Sequence, residues 1–196
     1  MTPLPFIPGY AHMFWVACYL WIIHESIGAW TQRARGTTRT HDRGSLFVLL
    51  TSLWGGVVLA GALAWLLPGA TLTWHRSTLF FVGVTLMFAG VTVRRYAMWS
   101  LGRSFTRAVA VRPAQAVVQT GPYRYIRHPA YSGTLLTALG VGLALTNGAS
   151  VGVALLSSVA GHLYRVRVEE QLLSARLGEP YRVYMRRTRR FIPFVF

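Results

Sequence analysis

Four charged residues, Arg165, Arg167, Glu169 and Glu170, follow an apolar run over 149–164 without a break. A charge near the centre of a bilayer costs roughly 2.5–3.5 kcal/mol on insertion scales, so such a group requires compensation or a task. On a continuing helix Arg165 and Glu169 stand four residues apart on one face, and Glu170 turns away. An interfacial ion pair that ends a span would read the same way. Acid scarcity argues for more than that. The chain has only five carboxylates, Glu25, Asp42, Glu169, Glu170 and Glu179, and two of them are adjacent here.

A second cluster is TGPYRYIRHPAYSG, residues 120–133. Gly121-Pro122 predicts a turn, and Pro129 biases His128 toward an extended conformation. Arg127 and His128 are then held on a rigid strip just before an apolar helix, with Tyr123, Tyr125 and Tyr131 around them. Taken alone, the strip also fits a basic membrane anchor with a packing histidine. His24 and Glu25 close the first apolar run with no motif around them, which suits a structural or snorkelling role. Cys18, the single cysteine, sits in an apolar run as a packing residue and excludes an intramolecular disulfide or a thiolate metal cluster. No glycine-rich phosphate loop, HExxH zinc pattern or serine nucleophile elbow occurs, and no metal site is expected.

The elements that would position these groups are apolar helices. Apolar residues make up 53% of the 196 and charged residues 13%, too few charges to clothe a soluble domain. Runs at 11–30, 45–67 and 77–93 approach the ~20 residues needed to cross a hydrocarbon core. The third is closed by Arg94-Arg95, and Trp30, Trp74 and Trp99 lie near helix ends, where an interfacial aromatic belt would place them. Runs at 133–146 and 149–164 form a shorter pair joined by Asn147-Gly148. From Arg165 onward the chain is basic, with Leu172, Leu173 and Leu177 at helical spacing. This predicts an amphipathic surface helix that ends near Pro193.

The net charge of +15 comes from 20 arginines against five acids, with no lysine. Such a balance suits nucleic acid or an anionic membrane surface. Because the arginines gather at the ends of apolar runs, the membrane is the partner and nucleic acid is not. Arginines crowd 31–44, 94–131 and 165–196, while 68–76 has one and 147–148 none. The positive-inside rule then places the rich segments in the cytoplasm. An all-α integral membrane protein with about five spans, N-terminus outside and C-terminus inside, satisfies every segment. One membrane-embedded domain over 1–196 is expected, with three spans in 1–99 and the chemistry in 100–196.

Residues 121–133, GPYRYIRHPAYSG, resemble the GxYxxxRHPxYxG signature of the isoprenylcysteine carboxyl methyltransferase family and its phospholipid methyltransferase relatives. The resemblance continues through LGRSF at 101–105, RVRVEEQLL at 165–173 and LGEPYRVYMRRTRRFIP at 177–193. It covers roughly 100–196, and the first half matches only as hydrophobic helices.

The resemblance implies a methyltransferase that uses S-adenosyl-L-methionine on a lipophilic acceptor. The strip Gln115, Ala116, Val117 and Val118, with Tyr123, Arg127, His128, Pro129 and Tyr131, would line the cofactor pocket. Glu169 would touch the cofactor's polar end, and Arg165 would face the acceptor; these two would carry the catalysis. The family usually has histidine where this chain has Gln115, which weakens that one contact. Acceptors consistent with the family are a prenylated cysteine carboxylate, a phospholipid amine, or another lipophilic acid, alcohol or thiol, entering from the bilayer. NADPH-dependent sterol reductases also carry an RHP-like strip, but their tails have a Lys-Tyr-Gly and Trp-rich pattern that LGEPYRVY lacks. A membrane scaffold that binds neither cofactor is the non-enzymatic alternative.

Overall fold

In a computed structural model the described residues are 1–33, 42–102 and 116–193, with side chains described except over 28–33. They form six α-helices: α1 (Pro8–Arg33), α2 (Ser45–Leu66), α3 (Arg76–Leu101), α4 (Pro129–Ala144), α5 (Gly148–Leu177) and α6 (Glu179–Arg187). Among the described residues extended pairing is limited to two isolated bridges, Thr71 with Asn147 and Ile126 with Arg189.

Small residues set the helix packing. Gly83 and Gly90 on α3 meet Gly140 and Gly133 on α4, so the two helices run antiparallel in backbone contact. A Cβ added at Gly133 would lie 2.6 Å from the Gly90 carbonyl oxygen, and one at Gly140 would lie 2.6 Å from that of Gly83. Such seams suit helices in lipid, where close packing rather than water exclusion drives association. On the other side Gly56 of α2 packs on Ser157 of α5, and Gly161 of α5 on Ser52 of α2. This pair is also antiparallel.

The α4–α5 connection is tight and tied down. Thr146 takes a left-handed φ of 51°. The Asn147 side chain accepts from Ser150 N at 3.1 Å to cap α5, and donates to Leu67 O at 2.9 Å. Leu72 N donates to Thr146 O at 2.9 Å, so the α2–α3 and α4–α5 connections share one end of the bundle. The N-terminus lies there too, since Arg76 donates to Thr2 O and Tyr10 bonds Ser77 Oγ at 3.0 Å. α1 therefore runs parallel to α3. The clusters at 120–133 and 165–193 occupy the opposite end.

By length and composition α2 and α3 are apolar enough to cross a membrane. α4, with 16 residues, spans about 24 Å at 1.5 Å per residue, short of a ~30 Å hydrocarbon core. Trp74 and Trp99 are exposed at opposite ends of α3.

Three expectations change. α3 continues past Arg94-Arg95 to Leu101, because Arg94 is neutralised inside the bundle by Glu25. Residues 165–177 extend α5 as one 30-residue helix, and the separate amphipathic helix is the nine-residue α6. Gly178 divides them at φ 65°, a conformation that glycine adopts without strain. His128 is not extended: at φ −125° and ψ 53° it precedes Pro129, the first residue of α4.

Candidate active site

The cluster is assembled by pairing the strip at 126–128 with the C-terminal tail. Arg127 N donates to Arg189 O at 2.7 Å, and His128 N to Arg190 O at 3.0 Å. Tyr184, buried on α6, donates its hydroxyl to Tyr123 O at 2.7 Å. The strip's rigidity therefore comes from these bonds as well as from Pro129.

Glu170, which the sequence places on the far face from Arg165, is the hub that locks this pairing. It is 5% exposed. Its Oε1 accepts from Arg127 Nε at 2.8 Å and lies 3.2 Å from His128 Nε2. Its Oε2 accepts from both Nε and Nη2 of Arg190, at 3.2 and 2.9 Å. Burial alone would raise its carboxyl, but hydrogen bonds from His128, Arg190 and Arg127 bring it down to about 2. Arg127 also donates to the carbonyl oxygens of Met185, at 3.0 Å, and Thr188, which satisfies the end of α6. Arg127 is thus committed to the protein on several sides.

Glu169, one residue earlier, has a different environment. Its side chain is 28% exposed, and it accepts from the Tyr131 hydroxyl at 2.8 Å. His128 Nδ1 stands 4.0 Å away, and the His128 ring stacks on Tyr131 at 5.4 Å between centroids. The same Tyr131 oxygen accepts from Arg165 Nε at 3.2 Å. Arg165 and Glu169 are thus joined through a tyrosine rather than directly paired. Arg165 itself is 2% exposed; its Nη1 donates to Ser45 Oγ at 2.8 Å and pairs with Asp42.

Beside this group lies a cavity with one apolar wall, Leu46, Leu49, Leu50 and Leu53 of α2, facing Tyr131 and Arg165. Glu25, Arg94, Thr134 and His162 complete its lining. Arg94 holds Glu25 through both carboxylate oxygens, Nη2 to Oε2 at 3.0 Å, and donates to Ala130 O at 3.2 Å. His162 Nδ1 lies 2.7 Å from the Ser158 carbonyl oxygen. A carbonyl only accepts, so Nδ1 carries a proton and donates it there. The ring meets Tyr131 edge-on at 5.1 Å. Asp42, Arg94 and His162 were not singled out by sequence reasoning. Their partners lie up to 123 residues away, and no local spacing announces them.

The structure therefore gathers Tyr123, Arg127, His128, Pro129, Tyr131, Arg165 and Glu169 at one end of α4 and α5. Ala116, Val117 and Val118 form an irregular strip leading into Tyr123. Among the described residues their backbone groups have no backbone hydrogen-bond partner. Gln115, and Arg103 to Phe105 of the LGRSF segment, lie outside the described residues. Among the described residues no group of three metal-ligating side chains occurs.

Residues 82–175 match the sequence model of the isoprenylcysteine carboxyl methyltransferase family, over the stretch that holds the glycine seam, the RHP strip and both glutamates. That segment is similar to the isoprenylcysteine carboxyl methyltransferase family. The chain is 31% identical over 130 residues to the protein-S-isoprenylcysteine O-methyltransferase B of Arabidopsis thaliana, covering 65% of this chain and 64% of that protein. It is 30% identical over 117 residues to a probable enzyme of the same name from Oryza sativa subsp. indica, covering 59% and 61%. The chain thus spans less than two thirds of the length of these curated relatives. A solved structure of the eukaryotic intramembrane Ras methyltransferase of this family superposes with a TM-score of 0.58 at 23% identity, covering 79% of this chain and 54% of that one. That likeness shows a shared helical membrane fold. The family name implies a methyl donor.

Proposed function

We propose that the protein is an integral membrane methyltransferase that transfers a methyl group from S-adenosyl-L-methionine to the carboxylate of an isoprenylcysteine-like lipid. The observation that carries this reading is the Arg165–Tyr131–Glu169 chain. It holds a guanidinium and a carboxylate at fixed separation inside the family segment.

The residues present fit that donor. Glu169, paired with a neutral tyrosine and partly exposed, can hold a cationic amino or sulfonium end. The backbone of the irregular strip Ala116, Val117 and Val118 would offer donors and acceptors to a heterocyclic edge. When bound, the donor supplies an activated methyl group. Tyr131 fixes the orientation of Glu169, and His128 stacks behind it. A carboxylate acceptor is already ionised at neutral pH, so no general base is needed. The protein's task is then alignment in a dry site. Arg165 would hold the acceptor's carboxylate, and the leucine wall of α2 would take its hydrocarbon chain.

In this reading the bundle crosses the bilayer about five times as one domain, with the N-terminus outside and the site end in the cytoplasm. The water-soluble donor arrives from the cytosol and the acceptor from the bilayer. Thermal unfolding in detergent tests the cofactor assignment. S-Adenosyl-L-methionine and its demethylated product should each raise the midpoint, since a ligand that binds the native state shifts unfolding. NADPH should not, and a shift with NADPH alone would point to a reductase instead.

A further inference from the structure

We infer that the groove between α5, α6 and the C-terminal tail binds an anionic phospholipid, whose head-group phosphate sits among Arg167, Arg182 and Arg190.

The groove has a volume of about 510 Å3. Arg167, Gln171 and Ser174 line it from α5, Arg182 and Met185 from α6, and Arg190 from the tail. At 100° per residue this face of α5 points away from the one that carries Arg165 and Glu169. The acid in the lining is Glu170, which Arg127 and His128 hold as well as Arg190. Arg182 stands 3.6 Å from Glu179, and both side chains are so exposed that the pair is weak. Among the described residues no acid pairs with Arg167. Three guanidiniums thus share one groove with a single acid that has other cationic partners. Their complement is an anion with several oxygens, and the planar guanidinium fork matches phosphate.

The outer surface of α5 assigns that phosphate to a lipid. Between residues 156 and 175 the exposed positions are Leu156, Ala160, Tyr164, Arg167, Gln171 and Ala175. Their spacing of three and four makes one continuous stripe. It starts apolar, with Leu156 69% exposed, passes through Tyr164 and turns polar at Arg167. Tyrosine favours the boundary between hydrocarbon and head groups. At 1.5 Å per residue, Leu156 and Arg167 lie about 16 Å apart along the axis. That is close to the ~15 Å of hydrocarbon in one leaflet. Acyl chains laid over Leu156 and Ala160 therefore bring the phosphate to Arg167. A free anion would make no use of the apolar half of the stripe.

Such a lipid would join three segments. Gly178 breaks the chain between α5 and α6. Met185 O on α6 accepts from Arg127, and Arg190 O accepts from His128 N. A phosphate shared by the three arginines ties α6 and the tail to α5, and so steadies the pairing that holds the RHP strip.

The test uses the full chain in detergent with phosphatidylglycerol as the anionic probe. Phosphatidylcholine, whose phosphate carries its own counter-charge, is the control. Native mass spectrometry counts retained lipid, and fluorimetry follows unfolding. Arg167→Gln/Arg182→Gln is compared with Arg176→Gln/Arg187→Gln, which removes the same charge from the last turns of α5 and α6 outside the groove. Wild type and the second variant should retain phosphatidylglycerol about tenfold over phosphatidylcholine. Both should melt about 2–4 °C higher with it. The groove variant should lose the preference and the shift. Equal loss in the two double variants would mean a diffuse basic surface and overturns the inference, as does a wild type without preference. Inorganic phosphate that displaces the lipid and reproduces the shift would make this a free-anion site and overturns the lipid assignment. Should the groove variant fail to fold, Arg167→Gln alone, at an exposed position, must still weaken the preference; full retention there overturns the inference.

Discussion

Tyr131 donates its hydroxyl hydrogen to Glu169 at 2.8 Å, and the same oxygen accepts from Arg165 at 3.2 Å. The two charged groups that the sequence sets one helical turn apart are thus not a simple i,i+4 pair. A side chain from the neighbouring α4 spaces them and fixes both. Tyr131→Phe keeps the ring contacts with His128 and His162 but removes both hydrogen bonds. Turnover should fall by about 100-fold, the scale of a small misalignment in a site that works by positioning. Cofactor affinity should fall much less. Titration calorimetry beside initial-rate assays on one preparation measures the split; equal losses would mean that Tyr131 acts only through Glu169's hold on the cofactor.

The adjacent glutamates should behave oppositely. Glu170→Gln replaces a buried carboxylate that has three cationic or imidazole partners, and should lower stability by about 3–5 kcal/mol. Glu169→Gln should unfold at nearly the wild-type temperature and lose cofactor binding. Differential scanning fluorimetry with and without ligand distinguishes the two. The reverse pattern would exchange their roles.

Acid sensitivity follows from Glu170, which lies beyond the apolar part of α5. Its folded-state value of about 2 is below the unfolded value of about 4.3. A depressed acid contributes stability that is complete above the unfolded value and is lost as pH falls toward the folded one. Stability should therefore drop between roughly pH 4.5 and 2. In Glu170→Gln that limb should flatten, and an unchanged acid limb would assign the sensitivity to other carboxylates.

The glycine seam gives a packing prediction with an internal control. Gly133→Ala and Gly90→Ala place a methyl group against the facing backbone and should sharply reduce the yield of folded protein. Gly55→Ala and Gly61→Ala meet nothing within 4 Å and should be tolerated or slightly stabilising. Size-exclusion profiles of the detergent-solubilised variants report the outcome. Equal tolerance at all four positions would contradict the α3–α4 register.

Topology is testable by cysteine accessibility in a Cys18→Ser background. Gly148 lies at the hairpin end of the bundle, and Gln119 adjoins the site end. An impermeant reagent added outside sealed cells should label Gly148→Cys and spare Gln119→Cys. Labelling of both from the same side would remove the five-span arrangement.

What the sequence made legible was local. The hairpin at Asn147, the turn at Gly121-Pro122 and the shared face of Arg165 and Glu169 all follow from short-range rules, and all are present. Glu170's role was hidden because its partners come from the RHP strip and from Arg190, 42 and 20 residues away. The end of α3 was misplaced at Arg94-Arg95 because the charge that keeps Arg94 inside, Glu25, lies 69 residues earlier. Asp42's bond to Arg165 was equally invisible, since nothing in the spacing joins a loop acid to a helix 123 residues on. The seven-residue spacing of Gly83 and Gly90, mirrored by Gly133 and Gly140, was a readable sign of close packing.

The most direct test of the account is methyl transfer itself. Purified protein in lipid nanodiscs would be incubated with methyl-labelled S-adenosyl-L-methionine and an N-acylated S-prenylcysteine, with Glu169→Gln and Arg165→Lys in parallel. The account predicts a base-labile labelled methyl ester from the wild-type protein and almost none from Glu169→Gln. In Arg165→Lys, turnover should fall far more than cofactor affinity, because lysine keeps the charge but lacks the planar fork. Wild-type protein that binds the cofactor yet forms no ester, or Glu169→Gln protein that forms it at the wild-type rate, would contradict the account.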